Sequence, residues 1–263
     1  MIFPQELRKA ARERRASLDL VEKDYILGWL LKAIFSTTAS THIAFKGGTA
    51  ISKVYFPGNW RLSEDLDFTM LDNTGFEEMA ENLISEVPAV LFDMASIRAN
   101  PHKEAYTNPN YLQVRFQYTG PVSRNTVKIE ISREKFVGPL LQKFVPQIFD
   151  CTKFSVTAYS LQNILAEKIR TLLQRGKLKD YYDVWKLLRT RNFDSGNVKD
   201  LFYRKCISKG VVYNGIDQFF PPDLIDTLGP YMKIGLTRLT SEDLPNLGEM
   251  IEELKDNLGA LLA

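Results

Sequence analysis

Two aspartates separated by a single residue, in the segment Arg61-Leu62-Ser63-Glu64-Asp65-Leu66-Asp67-Phe68-Thr69-Met70, are the strongest chemical signal in the chain. On an extended strand alternate side chains share a face, so Ser63, Asp65, Asp67 and Thr69 point one way and Leu62, Leu66, Phe68 and Met70 the other. Carboxylates at i and i+2 repel unless a cation lies between them, and hard oxygen donors so spaced suit a divalent ion such as Mg²⁺. A strand carrying two solvated aspartates has the same spacing. The segment Thr126-Val127-Lys128-Ile129-Glu130-Ile131-Ser132 also alternates, with Val127, Ile129 and Ile131 inward and Lys128, Glu130 and Ser132 opposite. If the two strands were neighbours, Glu130 would be a third carboxylate beside the pair; an ordinary Lys-Glu surface strand reads identically.

Cationic and glycine-rich segments supply the complementary chemistry. In Phe45-Lys46-Gly47-Gly48-Thr49 a glycine pair follows an apolar strand and precedes a helix-like run, Ala50 to Tyr55, which contains Ser52. Glycines let the backbone approach a ligand, and a helix start offers unpaired N–H groups to an anion, although most Gly-Gly pairs simply turn the chain. Further on, a helix over 161–175 places Lys168 inside the apolar stripe of Leu161, Ile164, Leu165 and Leu172 at ~100° per residue, with Arg175 on the same side. A buried ammonium there must snorkel or meet an anion, either a substrate phosphate or a carboxylate. After Gly176, the run Lys179-Asp180-Tyr181-Tyr182-Asp183 begins another helix. Asp180 and Asp183 share a face opposite Tyr181, Val184, Trp185 and Leu188, where they suit the helix dipole or pair with Lys168 and Arg175.

These groups need a framework, and the periodicities describe one. Residues 4–35 read as helical; strands are expected at 43–46, 62–70, 111–118 and 126–132, a helix over 76–91 passing Pro88, and a loop over 100–110. A short strand near 154–158 is followed by helical pattern almost to residue 263. The expected organisation is α+β, with a core domain over 1–155 and a helical C-terminal domain over 156–263. At 263 residues, 44% hydrophobic and 25% charged, the composition is that of a globular protein with a large core. No apolar run is long enough for a membrane span, and no signal-peptide core opens the chain, so a cytoplasmic location is expected. With two cysteines (Cys151, Cys206) and two histidines (His42, His102) in unrelated contexts, a zinc site or a Ser-His-Asp hydrolase is poorly supported. The formal charge of +2 says little about polyanions; clustered charge does, and the basic runs at 168–179 and 204–209 are candidates for an RNA-backbone surface.

The ordered set Phe-Lys-Gly-Gly-Thr-Ala-x-Ser-Lys, Arg-x-Ser-Glu-Asp-Leu-Asp-Phe, Ala-Glu-Lys-Ile-Arg and Lys-Asp-Tyr-Tyr-Asp resembles the AbiEii/AbiGii toxin family, nucleotidyltransferase-like proteins of toxin–antitoxin and phage-defence systems related to the MenT toxins. The resemblance spans about residues 20 to 190 and includes Val21-Glu22-Lys23-Asp24-Tyr25. It implies a polymerase-β-like nucleotidyltransferase core with a mixed sheet and a helical C-terminal half. It implies, too, a metal pair at Asp65 and Asp67, with Glu130 the candidate third ligand, and catalytic roles for Lys168 and Asp180. The nucleotide-binding set would be Lys46, Gly47, Gly48, Thr49, Ser52, Ser63, Arg175 and Asp183. By the same resemblance the chain would use Mg²⁺ (or Mn²⁺) to transfer a nucleoside monophosphate from an NTP to an RNA, tRNA foremost, and be countered by a separate antitoxin protein. Two other expectations stand beside it: a nucleotide-binding regulatory module without turnover, and transfer to a protein or small molecule. One departure is that the family's fourth motif usually reads Arg-Asp where this chain has Lys179-Asp180. The other is a gap from Gly48 to Asp65 longer than in the broader nucleotidyltransferase pattern.

Overall fold

The computed structural model describes residues 1–240 and 242–263. The chain divides into two compact units, Met1–Tyr159 and Ser160–Ala263. In the first, the helical stretch expected over 4–35 consists of α1 (Pro4–Glu13) and α2 (Leu18–Ile34). Arg15 takes a positive φ of 46° and Ser17 is extended, so the chain turns between them. α2 is buried on nearly every side, as a helix at the centre of a unit must be.

After α2 come β1 (Ile43–Lys46), α3 (Gly47–Ala50, continued by a wider π turn over Ile51–Tyr55) and β2 (Asp65–Met70). The helix thus starts at the glycine pair itself, and the strand starts at Asp65 rather than Leu62. α4 (Phe76–Ala95) runs past Pro88 and past the expected end at 91. Met79, Leu83, Val87, Leu91 and Ala95 form a buried stripe at four-residue spacing, whose burial outweighs the one hydrogen bond the proline removes. The expected loop over 100–110 holds for 102–105 and 109–110, but two short strands enter it: β3 (Arg98–Pro101) and β4 (Tyr106–Asn108) both pair antiparallel with β5 (Tyr111–Thr119). Their prolines and polar residues are tolerated because both are edge strands. β6 (Arg124–Arg133), β7 (Leu140–Val145) and β8 (Phe154–Tyr159) complete an eight-stranded sheet in the order β3-β5-β6-β2-β1-β8-β7, with β4 beside β3 on β5. β7 gave no sequence signal, because Leu141 and Phe144 are exposed and blur the alternation.

The sheet is mixed: β2 runs parallel to β6 and β1 parallel to β8, while β1–β2 and β5–β6 are antiparallel. Its apolar face, including Leu66, Phe68, Ile129, Ile131, Leu112 and Val114, is fully or almost fully buried, and α2 and α4 pack on the sheet. The other face carries the polar members of the same strands.

The second unit contains α5 (Leu161–Gln174), α6 (Leu178–Thr190), α7 (Ser195–Lys209), α8 (Leu224–Tyr231) and α9 (Leu247–Leu262). Ser160, Asp194 and Asn246 cap α5, α7 and α9 through their side chains, which explains why the helical pattern breaks where it does. α5 packs on α6 and α7, and α6 on α9. Among the described residues no helix is long and apolar enough to cross a membrane.

Candidate nucleotide and metal site

In the first unit the strand registers assemble a polar patch. β2 pairs with β6 so that Asp65 faces Lys128 and Asp67 faces Glu130, and β1 pairs with β2 so that Lys46 faces Asp67. Lys46, Asp67 and Glu130 are therefore one cross-strand row, with Asp65 and Lys128 in the next on the same face. The Lys128 ammonium lies 3.5 Å from Asp65 Oδ2 and 3.2 Å from Glu130 Oε2, while the Tyr111 hydroxyl donates to Glu130 Oε1. Burial pushes the Asp65 carboxyl above its ordinary value; Lys128 opposes this, and Glu130 and Glu64 add to it. Burial lowers the Lys128 ammonium, but Asp65 and Glu130 outweigh it and hold the group above its usual range. Lys46 is paired with Glu134 at 3.4 Å, which also accepts from Ser132 Oγ at 2.9 Å.

The glycine turn is built against this patch. Gly47 has φ +77°, and a Cβ there would lie 2.9 Å from Asp67 Cβ and collide with its carboxylate. Only a glycine satisfies both the left-handed backbone and the close approach of Asp67. A Cβ on Gly48 would sit 3.0 Å from Arg61 Nη2 and 3.4 Å from Ser63 Oγ, so Arg61 and Ser63, both buried, lie over the second glycine. The buried Ser63 hydroxyl has no hydrogen-bond partner among the described residues. Thr49 Oγ1 donates to the Asp65 carbonyl at 2.5 Å and ties the start of α3 to the start of β2. Ser52 sits differently: its hydroxyl donates to the Thr49 carbonyl at 3.1 Å, and its side chain lines a cavity of about 300 Å³ together with Arg14, Asp24, Lys53, Trp60 and Phe149.

Glu22 and Asp24, from the segment before the glycine motif, prove to be fixings for these elements. Glu22 accepts from the backbone N–H groups of Val122 (2.6 Å) and Ser123 (3.0 Å) at the β5–β6 turn. Asp24 accepts from Lys53 Nζ at 2.7 Å and pairs with Arg14 at 3.1 Å, anchoring the end of the helical run after the glycines.

In the second unit, α5 and α6 enclose a four-residue charge cluster. Lys168 Nζ lies 3.2 Å from Asp180 and 2.8 Å from Asp183, and Arg175 binds Asp180 through Nε (2.8 Å) and Nη2 (2.9 Å). The sequence left Lys168 open to snorkelling, phosphate or carboxylate; the structure gives it carboxylates and leaves it 8% exposed. Asp180 and Asp183 are 1% and 0% exposed, and of the two roles the sequence offers them the structure shows the pairing with Lys168 and Arg175. Burial raises the Asp180 carboxyl, but Lys168 and Arg175 outweigh it and hold it below the ordinary carboxylate range. The basic runs are likewise not continuous charged surfaces. Lys168, Arg170 and Lys205 are buried, Arg170 donating to Gln174 and Lys205 meeting Glu167 at 3.3 Å.

Hard oxygen donors on one strand face fit a hard divalent cation, and Mg²⁺ needs only one or two carboxylates because substrate phosphates and water supply the rest. Asp65 and Asp67 meet that description. Among the described residues no group of three His, Cys, Asp or Glu side chains is disposed to hold a metal, and both oxygens of Glu130 already have donors. Lys128 and Tyr111 are the site neighbours to which the sequence assigned no role. The period-two pattern put Lys128 on the right face, but only the register supplied its partners.

Residues 29–257 match the family described as nucleotidyl transferase AbiEii toxin, type IV TA system. Among solved structures, the fold resembles MenT4, a nucleotidyltransferase toxin from Mycobacterium tuberculosis H37Rv, at a TM-score of 0.72 and 18% identity, covering 100% of this chain and 90% of that one. It also resembles JHP933 from Helicobacter pylori (TM-score 0.59, 18% identity, 94% and 93% covered) and a putative nucleotidyltransferase from H. pylori (0.57, 18%, 94% and 96%). No curated protein sequence matches the chain. At such identities the structural likenesses bear on fold.

Proposed function

The chain belongs to the AbiEii family of nucleotidyltransferase toxins and is a nucleotidyltransferase, and from that premise we propose that it transfers a nucleoside monophosphate from an NTP to an RNA, tRNA foremost, in a Mg²⁺-dependent reaction. Its setting is then a toxin–antitoxin system serving phage defence, with the antitoxin a separate protein. The observation that carries this reading is the packing of Asp67 against Gly47, on the same strand face as Asp65. That contact joins a carboxylate pair to a glycine turn able to approach phosphate.

In this reaction an acceptor hydroxyl attacks the α-phosphorus, the bond to the β-phosphate oxygen breaks, and pyrophosphate departs. Asp65 and Asp67 would hold a divalent ion, which would supply charge neutralisation at the triphosphate and favour ionisation of the attacking hydroxyl. The backbone N–H groups after Gly47 and the Ser63 hydroxyl orient the phosphates, and Lys46 and Arg61 add positive charge near the turn. Asp180 and Asp183 hold the Lys168 side chain in place. Its proposed task, with Arg175, is to offset the charge that builds as pyrophosphate leaves.

The test is incubation with α-labelled NTPs, Mg²⁺ and total RNA. Label should become covalently attached to RNA only with the divalent ion present, while γ-label should leave as pyrophosphate. Asp65→Asn and Asp67→Asn should each lose transfer with the melting temperature unchanged or raised, because a like-charge repulsion is removed. Label appearing on a protein instead would move the acceptor, and stoichiometric NTP binding without transfer to any acceptor would sink the enzymatic reading in favour of a regulatory module.

A further inference from the structure

The carboxylate patch contains a cation of its own. Parallel pairing of β2 with β6 sets Lys128 directly beside Asp65, and its ammonium bridges Asp65 Oδ2 and Glu130 Oε2 at 3.5 and 3.2 Å. Glu130, facing Asp67 in the next row, is held on its other oxygen by the Tyr111 hydroxyl, so both of its oxygens have donors from this chain. A carboxylate so occupied is a poor ligand until its donors withdraw, and a positive charge about one ion-diameter from Asp65 discourages a further cation nearby. The Lys128 and Glu130 side chains are 29% and 25% exposed, so the bridge lies at a partly desolvated face rather than a fully screened one.

We propose that Lys128 is a positioning residue that takes the place of one of the two cations a three-carboxylate cluster would otherwise gather, so that the site loads a single divalent ion on Asp65 and Asp67 and Glu130 serves as the counterion of the lysine. The inference rests on the reading of Asp65 and Asp67 as the metal pair. Its physical logic is repulsion at short range. An ammonium fixed 3.5 Å from Asp65 and 3.2 Å from Glu130 opposes a second divalent ion between them, and removing the ammonium lifts that opposition. The lysine also fixes Asp65 by an ion pair before substrate arrives, which keeps the carboxylate from swinging away.

The experiment is titration of the full chain with Mn²⁺ alone, following free Mn²⁺ by electron paramagnetic resonance. Wild type and Lys128→Arg should bind one ion per chain. Lys128→Met should bind two, and the second ion should vanish again in Lys128→Met/Glu130→Gln. Glu130→Gln alone should keep its single ion. Two ions in wild type, a single ion in Lys128→Met, or loss of the ion in Glu130→Gln would each overturn the proposal. Failure of the underlying metal reading looks different: Asp65→Asn and Asp67→Asn would then bind Mn²⁺ as wild type does. Circular dichroism of each variant checks folding, which side chains this exposed are expected to preserve.

Discussion

At the residue scale, the side chains that carry chemistry are held by partners whose removal has distinct signatures. Lys168 lies between Asp180 and Asp183, both almost fully buried. Lys168→Met should therefore destabilise the protein by about 3–5 kcal/mol, because two desolvated carboxylates lose their common counterion. Urea denaturation measures this, and a rescue separates structure from catalysis. Lys168→Met/Asp183→Asn should regain part of the lost stability without regaining transfer; recovery of transfer would show that the lysine serves packing only. Gly47→Ala is the matching test in the first unit. A methyl group there meets the Asp67 carboxylate on a backbone at φ +77°, so a stability loss of about 1–3 kcal/mol should accompany loss of nucleotide transfer. A variant as active as wild type would mean that the glycine is not the seat of the close approach.

At the element scale, the polar face is fixed from behind by groups remote from it in sequence. Glu22 on α2 receives two backbone N–H groups of the β5–β6 turn, and it also accepts from the Ser123 hydroxyl. That turn sets the register of Tyr111 and Glu130 on their strands. Glu22→Ala leaves those donors without their acceptor and should cost about 1–3 kcal/mol, read as a lower urea midpoint. It should also weaken Mn²⁺ binding less than Asp67→Asn does, since the carboxylates themselves remain; the reverse order would contradict this division of labour. The segment Val21-Glu22-Lys23-Asp24-Tyr25 thus has a mechanical role, with Glu22 fixing a hairpin and Asp24 fixing Lys53 after the glycine turn.

At the scale of the whole molecule, each unit contains a buried aspartate whose charge is held by cations: Asp24 with Lys53 and Arg14 in the first, Asp180 with Lys168 and Arg175 in the second. Burial opposes ionisation of both, yet the cations outweigh it and both carboxyls stay below their ordinary value. A depressed folded-state pKa stabilises the protein fully above the unfolded value, near 3.9, and that stability is lost as pH falls through the folded value. The denaturation midpoint should therefore stay nearly level from about pH 7 to pH 5 and fall below about pH 4. Asp180→Asn should flatten that acid limb, and a limb of unchanged depth would remove Asp180 from the account. Much of this protein was determined by sequence alone. Period-two alternation put Asp65, Asp67, Lys128 and Glu130 on polar faces, because side-chain direction on a strand is a local property, and the order of motifs identified the family. The helix wheel found the misplaced charge of Lys168 for the same reason. Partner choice was another matter. That β2 runs parallel to β6 in the register joining Asp65 to Lys128, that 98–101 and 106–108 form edge strands, and that Asp180 and Asp183 turn inward were decided only by tertiary structure. Cross-strand register and burial are set by elements distant along the chain, and a charge shows its partner only once the fold has brought the two within a few ångströms.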